Sequence, residues 1–423
     1  MEQSSHHWKK SIRYAAKSDI GLRRANNQDS FAVIVAGNTT QWMEHGHLFV
    51  VADGMGAHAA GEVASKCATE TITQSYLRRS KTEPPHQAIV EAVYDAHRFI
   101  RERSAQEEAF RDMGTTADAL LLLPYGAMIA HVGDSRVYRL RNQMIEQLTF
   151  DHSLVWEVCM ATNLAFDKAP SYIPKNQITR SLGPTESLKV DLEGLYPIAI
   201  GDTFLLCSDG LSGQVTDREI GQILSVFSPE QAVETLVNLA NLRGGPDNIT
   251  VIIVQTIPPT TEEPPIAAKE PISLFGWGAL ALAAIGLLVT GIAFALGAFW
   301  GAIASLVFSV VMFVTFFVLS AKSFFAHSLY EEGMPPFGKG PYTRTHCPAG
   351  SEFVEKLAEI LHELRLATQT DRWSVQSPDA DNTEQEAKAA MTNKDYAVAI
   401  RCLCMAINYL MRELKRVSVK KKR

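Results

Sequence analysis

Residues 47–62 read HLFVVADGMGAHAAGE, an apolar run that ends abruptly at Asp53-Gly54 before a segment of small residues. Asp-Gly is a common turn dipeptide, so Asp53 taken alone indicates no more than a turn. A carboxylate at a strand end can also hold a cation, and a following glycine lets the backbone carbonyl approach as a second ligand. The rest of the chain decides between these two interpretations.

The length, net charge and cysteine count of the chain exclude some classes of protein. The chain has 423 residues, too many for one ordinary domain, and its formal net charge of −6 gives no basic field for nucleic acid. The six cysteines form no CxxC pair and no zinc spacing, which is typical of reduced thiols in a cytosolic chain. Residues 1–18 lack the apolar core of a signal peptide.

Residues 12–256 form one dense region in which short apolar runs alternate with helical patterns. The runs SFAVIVAG, HLFVVAD, GAMIAHVGD and DNITVIIVQT are bounded by Gly, Asp, Asn or Pro and predict strands. Several strands follow one another directly, as in residues 126–149, which favours antiparallel pairing. We therefore predict an α+β fold of layered antiparallel sheets and helices.

Five aspartates of this region lie at predicted strand ends: Asp29, Asp53, Asp134, Asp209 and Asp247. Strand ends at one rim of a sheet can converge, and converging carboxylates repel one another and are costly to bury. Divalent cations remove that repulsion, and Mg²⁺ and Mn²⁺ prefer carboxylate, carbonyl and water ligands. The shared placement therefore favours a metal centre over five separate turns.

Five segments resemble the motifs of the metal-dependent protein phosphatases of the type 2C (PPM) family, in its bacterial form. In chain order over about residues 17–256 they are SDIGLRRANNQDSF, VADGMGAHAAGE, MGTTADALLL, AHVGDSRVYRL, and LLCSDGL with GGPDNITVIIV. The resemblance implies a four-layer αββα sandwich of two antiparallel sheets with a metal centre at one rim. It also implies a serine/threonine phosphatase that uses two or three Mn²⁺ or Mg²⁺ ions.

By motif position, the resemblance implies a metal-binding role for four residues. Asp53 would bridge two metals and Gly54 would lend its carbonyl, while Asp209 and Asp247 would hold the other metal. No side chain is expected to act as the nucleophile. Instead, a metal-bridging water, acidified to hydroxide, would attack the phosphorus.

The resemblance also assigns three surrounding residues. Asp134 matches the position that contacts a third, weaker metal in bacterial relatives, and Asp29 matches an acid that holds metal-bound water. Arg24 matches the arginine that binds the substrate phosphate, a task that suits the two-pronged guanidinium.

Two positions depart from the family pattern. Gln28 stands where the usual NNED motif has glutamate, and an amide keeps hydrogen-bonding capacity but removes one negative charge. We expect weaker metal affinity or altered activity. Gln28 is also the direct support for an alternative function, a pseudophosphatase that acts as a membrane scaffold or sensor. Met55 stands where animal relatives have a proposed general-acid histidine, so no general acid is assigned.

A proline-rich linker, residues 257–272, leads into an apolar block. The 51 residues 271–321 contain no Asp, Glu, Lys, Arg or His, whereas one membrane helix needs roughly 20 apolar residues. Residues 273–321 therefore predict a transmembrane region of two helices with a turn near residues 296–301. One buried core helix and one long span are the alternatives. Lys269 and Lys322 flank the block, which permits both ends to lie in the cytoplasm.

Three segments complete the chain. Residues 322–351 predict a polar loop, residues 352–417 a helical region, and residues 418–423 a basic tail that is solvated or touches anionic lipid. Part of the helical region resembles one helix–turn–helix unit of a tetratricopeptide-type repeat, which cannot bury its apolar face alone. We expect it to form a small bundle, to self-associate or to bind a protein partner.

Together these features predict a membrane-anchored serine/threonine phosphatase whose phosphatase domain and C-terminus face the cytoplasm. Its substrates would be phosphoproteins made by Hanks-type kinases, and it would not bind nucleic acid.

Overall fold

The computed structural model of the chain describes residues 11–56, 60–162, 164, 173–174, 177–258, 274–331, 336–370 and 377–421. The chain forms two compact units: Met1–Pro258 together with Pro336–Arg423 make the larger unit, and Pro259–Pro335 make the smaller one. The apolar block is therefore an insertion within the larger unit. Most of the predicted linker, from residue 259, lies outside the described residues.

The strands of the larger unit form two antiparallel sheets, as predicted. Sheet A has the order β1-β11-β10-β7-β8-β12, and sheet B has the order β2-β3-β5-β6-β9, with β4 paired to β3. The strands are β1 (Ile12–Asp19), β2 (Asp29–Ile34), β3 (His47–Met55), β4 (Gly114–Thr115), β5 (Ala117–Leu123), β6 (Gly126–Val132), β7 (Arg136–Arg141), β8 (Met144–Gln147), β9 (Asp191–Tyr196), β10 (Thr203–Cys207), β11 (Ile249–Thr256) and β12 (Thr343–His346).

Helices of the larger unit cover the outer faces of both sheets, and two further helices belong to the smaller unit. In chain order they are α1 (Thr39–His45), α2 (Ala60–Arg79), α3 (Pro85–Gln106), α4 (Leu154–Thr162), α5 (Asp209–Ser212), α6 (Asp217–Val226), α7 (Pro229–Leu242), α8 (Leu274–Ala295), α9 (Phe299–Glu331), α10 (Ser351–Thr370), α11 (Pro378–Thr392) and α12 (Tyr396–Lys421). A short 3₁₀ turn, Glu108–Phe110, follows α3.

The hydrophobic core has three layers because both sheets bury both faces. Phe49 and Leu120 of sheet B pack with Phe204 and Ile252 of sheet A between the sheets. A second cluster lies between sheet B and the helices α2 and α3, and a third joins sheet A to α6 and α7. This arrangement confirms the predicted αββα sandwich.

The C-terminal helices are part of the same body and not a separate module. The helix α12 lies against α6, α7, α10 and α11. The apolar face expected for this helical region is present on α12, where Ile400, Leu403 and Ile407 are buried in the cluster that joins sheet A to its helices. The partner of this face is therefore the chain's own sandwich, which adds a further helical layer on that side.

The segment predicted as a polar loop contains regular structure. The helix α9 extends through Glu331, and β12 lies at Thr343–His346, where it pairs antiparallel with β8. Four polar residues gave β12 no apolar signal in the sequence. Its backbone forms a strand because the edge of sheet A supplies the hydrogen-bonding partners.

The smaller unit contains the helices α8 and α9, separated at residues 296–298, inside the stretch where a turn was predicted. They contact each other through small residues, since the Ser305 hydroxyl donates to the carbonyl of Gly286 (2.7 Å) and Ala283 and Ala302 are buried. Within the described residues, one stretch, Phe299–Phe316, has the length and hydropathy of a membrane span, and Ala281–Ala295 is a shorter apolar helix.

Candidate metal centre

The predicted aspartates converge at one rim of the sandwich. The antiparallel register of β2 and β3 places Asp29 opposite Asp53, and Asp134 follows β6 of the same sheet. In sheet A, Asp209 follows β10 and Asp247 precedes β11, and these two strands are paired. The two sheets meet where the Ser208 hydroxyl donates to Oδ2 of Asp29 (2.7 Å).

Three carboxylate oxygens at this rim are buried without a hydrogen-bond partner among the described residues. They are Oδ1 of Asp29, Oδ1 of Asp134 and Oδ1 of Asp209. A buried acceptor without a partner costs about 1–3 kcal/mol, and more when it is charged. Three such oxygens from both sheets fit a bound divalent cation, because the cation would give each of these oxygen atoms a partner.

The raised pKa values of the carboxyl groups at this rim also favour a bound cation. Burial, together with the charges of Asp29 and Asp209, raises the pKa of Asp53 well above its usual range. Burial likewise raises the pKa of Asp29 to about 6 and that of Asp134 to about 7. These carboxyls therefore resist ionising together at neutral pH unless positive charge is placed between them.

Among the described residues, no three histidine, cysteine, aspartate or glutamate side chains are placed so that together they could hold a metal ion. Asp247 has a competing partner, because Nη2 of Arg24 donates to its Oδ2 (2.7 Å). This hydrogen bond raises the pKa of Arg24, which is about half exposed, with a side-chain exposure of 49%. The structure thus brings Arg24 to the rim, with its guanidinium accessible to an incoming anion.

Asn248 organises the segment that carries Arg24, a role that the sequence analysis missed. Its Oδ1 accepts from the backbone N–H of Gln28 (2.8 Å), and its Nδ2 donates to the carbonyls of Ile20 (2.9 Å) and Asn26 (3.0 Å). Asn248 is buried and directly follows Asp247. The Asn248 side chain therefore fixes residues 20–28 relative to Asp247, and its position beside Asp247 was the only signal in the sequence.

Two glycines allow the close backbone approaches that bring the aspartate-bearing segments together. A Cβ atom on Gly210 would lie 1.9 Å from the Asn248 carbonyl oxygen, so this glycine lets the segment after Asp209 touch the segment after Asp247. A Cβ atom on Gly54 would lie 2.1 Å from the carbonyl oxygen of Gly61. The glycine after Asp53 is therefore required by the close approach of α2, besides the carbonyl role that the resemblance implies.

Two threonines, Thr115 of β4 and the following Thr116, hold the Asp53 backbone in place. The hydroxyl of Thr116 accepts from the Asp53 N–H (2.9 Å), and the Thr116 N–H donates to the Asp53 carbonyl (2.9 Å). The Thr115 hydroxyl donates to the same carbonyl (2.9 Å). Asp53 therefore does not end its strand in a free turn. Its backbone is fixed while its carboxylate faces the other aspartates.

Gln28 lies beside the segment that follows Asp53. Its backbone carbonyl accepts from the Gly54 N–H (3.1 Å), and its side-chain amide donates to the Gly56 carbonyl (3.3 Å). An ionised glutamate at this position could not donate that second bond. The amide thus contributes to the conformation of the Asp53 segment without adding a negative charge to the rim.

Two buried histidines support the same rim. Both ring nitrogens of His131 face acceptors, Oδ1 of Asp118 (2.6 Å) and the carbonyl of Phe150 (2.6 Å), so both must donate. Burial acts to lower the pKa of His131, but these acceptors raise it to about 9. His131 is therefore an imidazolium paired with Asp118 in the core.

His152, in contrast to His131, is neutral, because one of its ring nitrogens accepts a hydrogen bond. Its Nδ1 accepts from the N–H of Gly133 (3.1 Å), so the proton lies on Nε2, which faces Oδ2 of Asp191 (3.1 Å). Burial lowers the pKa of His152 to about 4. Because Gly133 directly precedes Asp134, His152 helps to fix the position of that carboxylate.

A sandwich of two antiparallel sheets with converging carboxylates and an accessible arginine at one rim is the arrangement that the resemblance to the metal-dependent phosphatases predicted. Comparison with known proteins gives the family. The family model described as protein phosphatase 2C matches residues 23–241. The chain therefore belongs to the protein phosphatase 2C family, and it is a serine/threonine protein phosphatase of that type.

Bacterial relatives cover the sandwich without the rest of the chain. A putative protein phosphatase 2C-type from Streptococcus pyogenes is 34% identical over 246 residues, which are 57% of this chain and 97% of the relative. Protein phosphatase PhpP from Streptococcus pneumoniae is 36% identical over 244 residues, 56% of this chain and 94% of the relative.

Solved structures give the same result. The serine/threonine phosphatase PstP/Ppp of Mycobacterium tuberculosis is 33% identical, with a TM-score of 0.51, over 58% of this chain and 99% of that chain. The serine/threonine phosphatase Stp1 of Staphylococcus aureus is 29% identical, with a TM-score of 0.52, over 60% of this chain and 99% of that chain.

Proposed function

We propose that this protein is a membrane-anchored phosphatase that hydrolyses phosphoserine and phosphothreonine on cytoplasmic proteins, with two or three Mn²⁺ or Mg²⁺ ions at the rim of the sandwich. The observation that carries the metal assignment is that three buried carboxylate oxygens, drawn from both sheets, have no hydrogen-bond partner in the part of the chain that the structure describes. Phosphatases of this family depend on metal ions.

Asp53, the Gly54 carbonyl, Asp209 and Asp247 would hold the two principal ions, and Asp134 would contact the third. When bound, the ions would supply an acidified water as the nucleophile and would neutralise the developing charge on the phosphate. The chain's own contribution is positioning. Arg24 is accessible and already aligned on a carboxylate oxygen, so an arriving phosphate would meet a guanidinium prepared for a charge-assisted hydrogen bond.

The assay should use the full chain in detergent, because the C-terminal helices share the core of the sandwich. We expect hydrolysis of p-nitrophenyl phosphate and of a phosphothreonine peptide with Mn²⁺, and none with EDTA. Asp209→Asn should lower turnover by orders of magnitude, while Asp379→Asn, on the exposed surface of α11, is the matched control. Lack of turnover with every divalent metal would refute the proposal.

Membrane anchoring rests on the inserted smaller unit. Residues on both sides of the insertion belong to one compact body, so both flanks of the apolar block must lie on the same side of any membrane. A single span would put them on opposite sides, and this supports two spans by α8 and α9. The small-residue contact of Gly286 with Ser305 suits helix packing in lipid.

Reporter fusions after residues 260 and 423 test this topology, with the cytoplasm as the expected location of both. Fusions that report opposite sides would exclude the hairpin. Membrane fractionation of the full chain tests anchoring itself, since recovery in the soluble fraction would contradict it.

The substrates would be phosphoproteins made by Hanks-type kinases near the same membrane. A short hairpin would restrict the enzyme to such targets. Comparison of the phosphoproteome with the wild-type chain and with the Asp209→Asn variant would identify them, and an unchanged phosphoproteome would leave this substrate class without support.

A pseudophosphatase that acts as a scaffold is the second candidate, favoured by Gln28. The variant Gln28→Glu distinguishes the two functions. A large rise from near-zero activity would favour the scaffold, whereas a change within about 10–100-fold of a measurable wild-type rate is the size expected for a residue beside the metal ligands.

A further inference from the structure

The segment that carries Arg24 leaves sheet A at Asp19, the last residue of β1. The antiparallel register places Asp19 opposite Ile249 of β11, two residues after Asp247. We call residues 20–24 the arginine segment. It starts beside a proposed metal ligand, and its conformation determines where the Arg24 guanidinium lies.

The Asp19 carboxylate fixes the first turn of the arginine segment. Its Oδ1 accepts from the backbone N–H of Gly21 (3.0 Å) and from Nδ2 of Asn241 (3.1 Å) on α7. Burial acts to raise the pKa of Asp19, but the hydrogen bonds from Asn241 and Gly21 lower it below its ordinary value. Asp19 is therefore an ionised carboxylate with fixed partners.

Gly21 places the arginine segment against Asp247. Its φ is 77°, and a Cβ atom here would lie 2.1 Å from the Asp247 carbonyl oxygen, so a residue with a side chain would not fit. The next residue continues the contact, because the Leu22 N–H donates to the carbonyl of Gly245 (2.8 Å). The turn that Asp19 holds is therefore packed on the backbone that leads into Asp247.

The C-terminal helix α12 reaches the same carboxylate. Nζ of Lys415 lies 3.4 Å from Oδ2 of Asp19, the second oxygen of the group. The Lys415 side chain is about half exposed, whereas the Asp19 side chain is mostly buried. The family model ends at residue 241 and α12 begins at Tyr396, so this contact comes from outside the matched part of the chain.

We propose that Asp19 is a positioning residue for Arg24, and that Lys415 makes α12 part of the same support. The inference rests on the proposed function, in which Arg24 binds the substrate phosphate. The carboxylate of Asp19 is bonded to Gly21, Asn241 and Lys415. Its loss should therefore act through the position of the Arg24 guanidinium.

A double-mutant cycle in the full chain tests the role of Asp19. With Mn²⁺, Asp19→Ala should lower kcat/KM for p-nitrophenyl phosphate by about 10-fold, because a small misplacement of a binding group can cost up to about 100-fold. In the Arg24→Ala background, the same substitution should change kcat/KM by less than about twofold, because no guanidinium is left to position. A purely structural role would give the same factor in both backgrounds.

The role of Lys415 is tested against a matched control. Lys415→Ala should lower kcat/KM by about two- to fivefold, since partly exposed ion pairs contribute little, and Lys415→Arg should restore it. The control is Arg412→Ala, because Arg412 lies three residues earlier on α12 and pairs with Glu234 of α7 (3.0 Å). It should leave kcat/KM unchanged.

Three outcomes would overturn the inference alone. They are an unchanged kcat/KM in Asp19→Ala, equal factors for Asp19→Ala in the two backgrounds, and equal losses for Lys415→Ala and Arg412→Ala. If Asp19→Ala does not fold, Asp19→Asn takes its place in the cycle, because it keeps the size of the side chain and removes its charge. A wild-type chain without activity would instead refute the proposed function, and the inference with it.

Discussion

Asn238 of α7 and Asn408 of α12 share a buried hydrogen bond of 2.8 Å, although 170 residues separate them. Nδ2 of Asn408 also donates to the hydroxyl of Thr235 (2.8 Å). A polar pair in an otherwise apolar interface fixes one alignment of the two helices, because any shift leaves the amides without partners. The C-terminal helices are thus joined specifically to the phosphatase sandwich.

The variant Asn408→Ala should destabilise the whole larger unit. It leaves the Asn238 amide buried without its acceptor on Asn408, which costs about 1–3 kcal/mol, while the Thr235 hydroxyl keeps its bond to the Gln231 carbonyl. Chemical denaturation monitored by circular dichroism measures the loss. Asn382→Ala on the exposed side of α11 should change stability by less than about 0.5 kcal/mol. A result for Asn408→Ala equal to this control would mean that α12 does not dock as described.

The variant Asn248→Ala should impair catalysis more than stability. It removes the bonds that hold residues 20–28, and with them Arg24, against the Asp247 segment. We expect kcat/KM for p-nitrophenyl phosphate to fall by about 10–100-fold, the size of effect seen when the supports of metal ligands are removed. Steady-state kinetics at saturating Mn²⁺ checks this. Unchanged kinetics in a folded variant would show that the Arg24 segment is held by other contacts.

His152 should make the protein sensitive to mild acid. Its pKa is about 4 in the folded chain and about 6.5 when unfolded, so the unfolded state binds the proton first. Stability from this group is therefore present above about pH 6.5 and is lost as the pH falls towards about 4, by up to about 3 kcal/mol. The variant His152→Gln should flatten the dependence of unfolding free energy on pH in this window. If the variant and the wild-type chain gave parallel curves of unfolding free energy against pH, the lowered pKa of His152 would be contradicted.

The rim could be predicted from the sequence because each carboxylate ends or begins a strand, and strand ends have a strong local signal. Asp53 and Asp209 follow apolar runs that could only be buried strands, so their placement at a sheet rim followed. Asn248 and Thr116 gave no such signal. Their roles depend on which backbone groups another segment leaves unpaired, and this becomes known only when both sheets are assembled.

The C-terminal region shows the opposite limit of sequence analysis. The sequence predicted a helical region with an apolar face that must be buried, and Ile400 and Leu403 of α12 lie on such a face, but the surface that buries it was not predicted. The spacing of apolar residues indicates that one face of a helix is buried, but it does not indicate which surface buries that face. The polar strand β12 was missed because its stability comes from the edge of sheet A. The helical region predicted at residues 352–417 contains α10, α11 and most of α12, and these helices belong to the same compact unit as the sandwich.

Bound metal should stabilise the chain by an amount that grows with the logarithm of the free metal concentration above the dissociation constant. The carboxylates of Asp53, Asp209 and Asp134 are costly to bury without a cation, so Mn²⁺ should bind the folded chain far better than the unfolded one. At a concentration 100 times the dissociation constant, the gain is about 2.7 kcal/mol. Thermal unfolding of EDTA-treated protein against added Mn²⁺ measures it, and Asp209→Asn should abolish most of the increase in Tm.

This measurement does not depend on turnover, so it separates loss of metal binding from loss of catalysis. A metal-independent Tm in the wild-type chain would show that the rim holds no ion, and the buried oxygens would then need another partner.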